Sequence, residues 1–404
     1  MSSSKVWNNR VRALALGIGL AMSAVVGPCW WSIVRDHKPS CAQEKPDFVS
    51  FYAAAKLMRT DRYALYDLEQ QRLVQYPIDP SRGEWVLPYF YPPFFAVILL
   101  PLAWLPFSLA FVTMTLVNLA LLVASIKILI QKLRLNPQQS SCLIFATFCN
   151  YGVYYGLLEG QTSFIALLLL VLYVTASDRP ASGWAGIWSG LLCFKPQLAL
   201  APLIVLICRR RWVALALAIG VVGCLGLVSL YIIGLGGLDS YLSVSRLGMT
   251  GEAVLPIKRP EQPERMHNLR ALAYFLFAVP WRFYFWSVST VGVMLLVVLI
   301  CRAHDGVDGI SLRQWASILV AMILVAPHLH DHDLTLLILP LAFYLKRAGD
   351  VVRPAVAFSF VGVCLLSLIN AAAYPHLPPL LPFVLVIYLI IELQLIRQLR
   401  QCQY

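Results

Sequence analysis

The sequence predicts an all-α, polytopic membrane protein in which residues 1–404 form one integral membrane domain. Three observations carry that reading. Hydrophobic residues make up 59% of the 404 and charged residues only 13%, against roughly 25% charged in an ordinary soluble domain. Mean hydropathy is +0.72, so a soluble fold would have to coat itself with Leu and Val. Apolar runs recur along the chain, and at about 20 residues per crossing roughly a dozen helices plus modest loops fit. Disorder, a coiled coil and a disulfide-stapled scaffold are excluded for the whole chain.

The elements follow in order. Lys5, Arg10 and Arg12 head an apolar run that reaches Val34. It is longer than the 7–15-residue core of a cleavable signal, so it reads as a first spanning helix entering from the cytoplasm. Residues 35–89 then break the pattern. They hold eight of the twenty acids (Asp36, Glu44, Asp47, Asp61, Glu69, Asp67, Asp79, Glu84) and many aromatics. Within them Phe48, Phe51, Tyr52, Ala55 and Met58 make one helical stripe, and DLEQQRLVQ at 67–75 makes a second short helix. Both are expected to lie in the membrane interface of an extracytoplasmic loop. Further spans are expected at 92–106, 107–131, 139–156, 162–177, 184–207, 212–236, 283–302, 313–327, 332–346, 353–373 and 378–397. With the first helix they total twelve, which leaves both termini inside.

Charge supports this layout. The formal net charge is +12. In a membrane protein such an excess marks cytoplasmic helix ends rather than nucleic-acid binding. Arg209-Arg210-Arg211, Lys346-Arg347 and Arg397 with Arg400 fall inside, whereas the same count puts Lys132, Arg134 and Arg179 outside. That disagreement leaves the count between 92 and 208 open by one helix, since short or broken helices are tolerated where they line a cavity. The cysteines lie mostly in apolar runs and form no CxxC pair, so neither a zinc nor a redox site is expected. Cys29 and Cys41 are the one candidate disulfide, facing an oxidising compartment.

The polar features that remain gather outside: the 35–89 loop, a 238–268 loop, the cluster at 328–333 and Tyr374-Pro375-His376. Asp47 opens the first loop helix, where a carboxylate either complements the helix dipole or serves as a general base, held by the rigid packing that Ala53, Ala54 and Ala55 allow. Tyr91, in Tyr89-Phe90-Tyr91-Pro92-Pro93, belongs to an aromatic belt or to a wall beside a sugar. Gln161, in Glu159-Gly160-Gln161, sits between two spans, where polar side chains tend to face a cavity. Lys195 lies deep within the 184–207 run and requires a partner, either a carboxylate or a lipid phosphate, and Pro196 would open the helix there. Asn268 and Arg270 close a cationic outer loop suited to an anion. His328, His330, His332, Asp331 and Asp333 offer nitrogen and oxygen donors, yet the pattern is not HExxH. Orienting a sugar or phosphate is preferred there over binding a metal.

Taken together, D-F-x-x-F-Y-x-A-A (47–55), A-L-Y (64–66), Y-x-Y-P-P (89–93), P-L-A-W-L-P (101–106), E-G-Q (159–161), K-P (195–196) before R-R-R-W (209–212) and A-P-H-L-H-D-H-D-L (326–334) resemble the family 87 glycosyltransferases. These are GT-C type membrane enzymes similar to polyprenol-phosphate-mannose-dependent α-mannosyltransferases. The resemblance implies a polyprenyl-phosphate-sugar donor, a lipid or glycan acceptor, no separate cofactor and a site facing outward from a bacterial inner membrane. It implies Asp47 as general base in an inverting transfer, with Lys195, Arg270 and Asn268 at the donor phosphate. His330, Asp331, Asp333, Gln161 and Tyr91 would hold the sugar or acceptor. The competing reading is a multi-pass transporter or lipid flippase, which intramembrane Lys195 would also fit. No convincing repeat relates the two halves of the chain.

Overall fold

A computed structural model describes residues 27–35, 46–78, 86–179, 182–250, 266–302, 310–347 and 384–389, with isolated positions besides. Every regular element among them is helical. The spans expected at 353–373 and 378–397, most of the first span, Cys41 and Tyr374-Pro375-His376 lie outside the described residues. Cys29 is disulfide-bonded.

In chain order the helices are α1 (Phe48–Thr60), α2 (Leu68–Gln75), α3 (Pro93–Leu99) running into a 3₁₀ turn (Leu100–Trp104), α4 (Phe107–Leu133), α5 (Pro137–Cys149), α6 (Tyr151–Leu158), α7 (Ser163–Ser177), α8 (Trp184–Leu191), α9 (Pro196–Cys208), α10 (Trp212–Thr250), α11 (Leu269–Leu276), α12 (Trp281–Arg302), α13 (Leu312–Val325), a 3₁₀ segment (Asp331–Leu337) and α14 (Ile338–Arg347). Three of these, α4, α10 as far as Leu247, and α12, are long and apolar enough to cross a bilayer, and a fourth span results if α5 and α6 count as one. Shorter apolar helices make up much of the rest. The bundle is therefore built largely from broken helices, not from twelve uniform crossings.

The breaks have local causes. Asn150 ends α5 and starts α6 by accepting from Gly152 N–H, and the two helices meet at 51°. Lys195 precedes a proline, which excludes it from helical backbone, and it sits at φ −122°, ψ 81°. The expected 184–207 span is consequently two arms, α8 and α9. Ser182 and Ala185 at the foot of α8 line the same cavity as Val205, Leu206, Arg209 and Arg211 at the end of α9. Both feet stand at one end of the bundle, so Lys195 is the apex of a V. Small residues let α8 approach α10: a side chain at Gly186 would collide with the carbonyl of Ala214, and one at Gly190 would press on that of Ala218.

Three expectations need correction here. Lys132, Arg134 and Arg179 do not face away from Arg209–Arg211. Lys132 pairs with Asp178, and Lys346 Nζ donates to the Arg134 carbonyl at 3.2 Å. Arg179 lines the cavity that holds Arg209 and Arg211. The V removes one crossing, and the cations fall at a single basic end. The start of the 238–268 loop is also helical, since α10 runs to Thr250 and bends at Gly234 (φ 67°, ψ 178°). Its Tyr241 ring packs 5.0 Å from Tyr66, above the first loop. Residues 251–265 are not among those described. α1 is also more than an interfacial helix: Phe48 through Ala55 are all buried, packed with α3 and the start of α4.

Candidate active site

The far ends of the broken helices converge away from the basic end. Asp47 immediately precedes α1, but its carboxylate makes no cap to that helix. Instead Gln161 Nε2 donates to Asp47 Oδ2 at 2.5 Å. The backbone binds the same turn: Asp47 N–H donates to Glu159 Oε2 at 2.8 Å, and Phe48 N–H donates to the Glu159 carbonyl at 3.0 Å. Gly160 makes this turn possible with φ +61°, against the Phe48 side chain. From near the middle of α4, buried Asn118 donates to the Gln161 carbonyl at 2.9 Å. The carboxylate is therefore recessed about half-way along the longest straight helix, and it is half-buried.

The next two residues of the turn reach different elements. Thr162 Oγ1 lies 2.8 Å from the Tyr91 hydroxyl, and the Tyr91 ring stacks on Phe95 and Phe194. Ser163 Oγ donates to Asp333 Oδ1 at 2.6 Å. That same oxygen accepts from Lys195 Nζ at 2.7 Å. Lys195 and Asp333 are 5% and 3% exposed. The lysine demanded a partner, and it is a carboxylate from a distant segment. Gln161, Thr162 and Ser163 thus tie Asp47, Tyr91 and the Lys195–Asp333 pair into one assembly. Of the three only Gln161 was expected. The hydroxyls of Thr162 and Ser163 read in sequence as an ordinary helix start. Asn118 offered a signal, an amide within a long apolar run.

The 328–333 residues diverge. Asp331 Oδ1 lies 2.6 Å from His267 Nε2, and His267 N–H donates to the Leu329 carbonyl at 2.9 Å. His332 stacks on Tyr155 with an interplanar angle of 6°, and its Nε2 is 3.5 Å from Asp333. His330 is half-buried and stacks on His332. Among the described residues no group of three or more His, Cys, Asp or Glu is arranged to hold a metal ion. Asn268 is fully buried. Its Oδ1 caps α11 through Ala271 N–H at 2.9 Å and its Nδ2 donates to the Ala326 carbonyl at 2.7 Å. Its amide serves backbone at both ends. Arg270, in the first turn of α11, lies 3.5 Å from His328 Nδ1 and over the Trp286 ring.

A family model, glycosyltransferase family 87, matches residues 89–327. The chain belongs to that family. It is accordingly a membrane glycosyltransferase, which removes the transporter reading and implies sugar donor and acceptor substrates. The matched stretch holds Tyr91, Gln161, Lys195, Asn268 and Arg270, whereas Asp47 precedes it and His330, Asp331 and Asp333 follow. No curated protein matches the chain. Within this glycosyltransferase the assembly joins a half-buried carboxylate to a buried ion pair.

Proposed function

We propose that this glycosyltransferase moves a sugar, mannose or a relative of it, from a polyprenyl-phosphate donor to a hydroxyl of a lipid or glycan acceptor, with inversion. The observation that carries the reading is the Gln161–Asp47 hydrogen bond, made from the turn that also grips Tyr91 and Asp333. Asp47 takes the proton of the acceptor hydroxyl as that oxygen attacks the anomeric carbon. The bond to the lipid phosphate breaks on the opposite face and the phosphate keeps its electron pair. Phosphate is already a good leaving group, so no second carboxylic acid is needed, unlike glycoside hydrolysis.

Arg270, at the start of α11, is assigned to the departing phosphate, where a guanidinium would stabilise the developing charge. Lys195 is neutralised by Asp333, so its part is to fix the apex of the V beside Tyr91 while presenting an oriented dipole. Asn268 positions Arg270 by capping α11. His330 and Asp331, half-buried, orient the sugar with Tyr91 and Gln161. The basic end faces the cytoplasm by the positive-inside rule, which turns the site toward the extracytoplasmic side of a bacterial inner membrane.

The test is purified protein given radiolabelled polyprenyl-phosphate-mannose or a nucleotide sugar, with a panel of acceptors. The expected result is transfer from the lipid donor only, with a product anomer opposite to the donor's. Transfer from the nucleotide sugar alone, or retention of configuration, contradicts the proposal.

A further inference from the structure

The basic end holds a second candidate site. Among the described residues, a cavity of about 290 Å³ opens between the ends of α4, α7, α13 and α14. Val171, Phe343 and Trp315 give it an apolar wall, and Lys132, Arg134 and Lys346 line it, with Asp178 the one acid among the described lining residues. A neighbouring cavity shares Asp178 and Trp315 and adds Arg179, Arg209 and Arg211. Trp184 and Trp212, at the feet of α8 and α10, are 57% and 58% exposed at this same end, as in an interfacial aromatic belt. The cavity therefore stands at headgroup height.

The positive-inside rule accounts for cations at helix ends, but it does not account for an apolar-walled cavity between four helices. A small free anion needs cations and no apolar wall. A lipid uses both, and basic pockets between spanning helices on the cytoplasmic side suit acidic headgroups. The volume is close to the lower end of small-ligand sites, roughly 300–1,000 Å³, enough for a headgroup whose tails stay in the bilayer. We propose that this cavity binds the phosphate headgroup of an anionic phospholipid from the leaflet opposite the active site.

Native mass spectrometry of the purified protein in detergent tests this, with dioctanoyl phosphatidylglycerol and dioctanoyl phosphatidylcholine as probes. The anionic lipid is expected to bind at least tenfold more tightly, a contrast that needs no variant. In R134Q and K346Q its affinity should fall about fivefold for each cation lost, with the zwitterionic lipid unaffected. Equal affinity for the two lipids overturns the proposal. So does unchanged phosphatidylglycerol affinity in a folded R134Q/K346Q variant. Displacement of the lipid by inorganic phosphate at equal concentration would show a free-anion site and also overturn it.

Discussion

Asp47 is useful only if its carboxylate is fixed, and the turn does this with Gln161 on its oxygen, Glu159 on its N–H and Gly160 between them. Gly160 has two reasons to be glycine. Its φ of +61° is the left-handed region, and an added Cβ would stand 2.8 Å from Phe48 Cβ. Phe48 is fully buried among Tyr52, Phe107 and Phe111, so it cannot yield cheaply. Gly160→Ala is expected to cost about 1–2 kcal/mol from the backbone alone and to push the start of α1. Because small misplacements of a catalytic group are costly, on the order of a hundredfold per ångström, the kcat of G160A should fall well beyond its loss of stability. Unfolding and steady-state transfer assays on the same preparation check this. Asp47 and Gln161 were legible in the sequence as polar groups interrupting apolar runs. Glu159 was visible too, but its grip on the Asp47 backbone was not, because the two lie in segments far apart in the chain.

At the scale of elements, the site exists because helices stop half-way. One of the stops was legible, the Lys195-Pro196 pair, whereas the Asn150 that caps α6 lay inside a run read as the single span 139–156. Read one-dimensionally, 184–207 is a single apolar run. Only the meeting of its two charged feet reveals the V. A recurring device fastens the opposite ends. Gln139 closes a capping box with Asn136 and donates to the Leu345 carbonyl of α14 at 2.8 Å. Gln314 does the same with Ser311 and donates to the Ile300 carbonyl of α12 at 2.9 Å. Each glutamine starts its own helix while occupying a carbonyl near the end of another. At the apex, the Lys195–Asp333 pair joins the V to the 3₁₀ segment. Lys195→Met would strand Asp333 and is expected to cost about 3–5 kcal/mol, whereas K195M/D333L should recover most of it. Denaturant unfolding of the singles and the double measures the coupling. Additive losses would mean the pair is not what holds the apex.

For the whole molecule, composition together with recurring apolar runs of spanning length was enough to point to a helical membrane protein. The layout of its ends was not legible, because counting hydrophobic runs assumes that each run crosses. Broken helices violate that assumption wherever they line a polar interior, and they misplaced Lys132, Arg134 and Arg179. The structure gathers Lys132, Arg134, Arg179, Arg209, Arg211 and Lys346 at one end, with the Asp47 assembly recessed toward the other. That polarity sets the half-buried Asp47 carboxylate in a protein-lined turn away from the basic end. The most direct measurement is the transfer rate of Asp47→Asn with a polyprenyl-phosphate-sugar donor, on protein that elutes and unfolds as the wild type does. A general base contributes about 10²–10⁴-fold, so transfer should fall at least a hundredfold with donor binding retained. A folded D47N enzyme turning over near the wild-type rate would contradict the account.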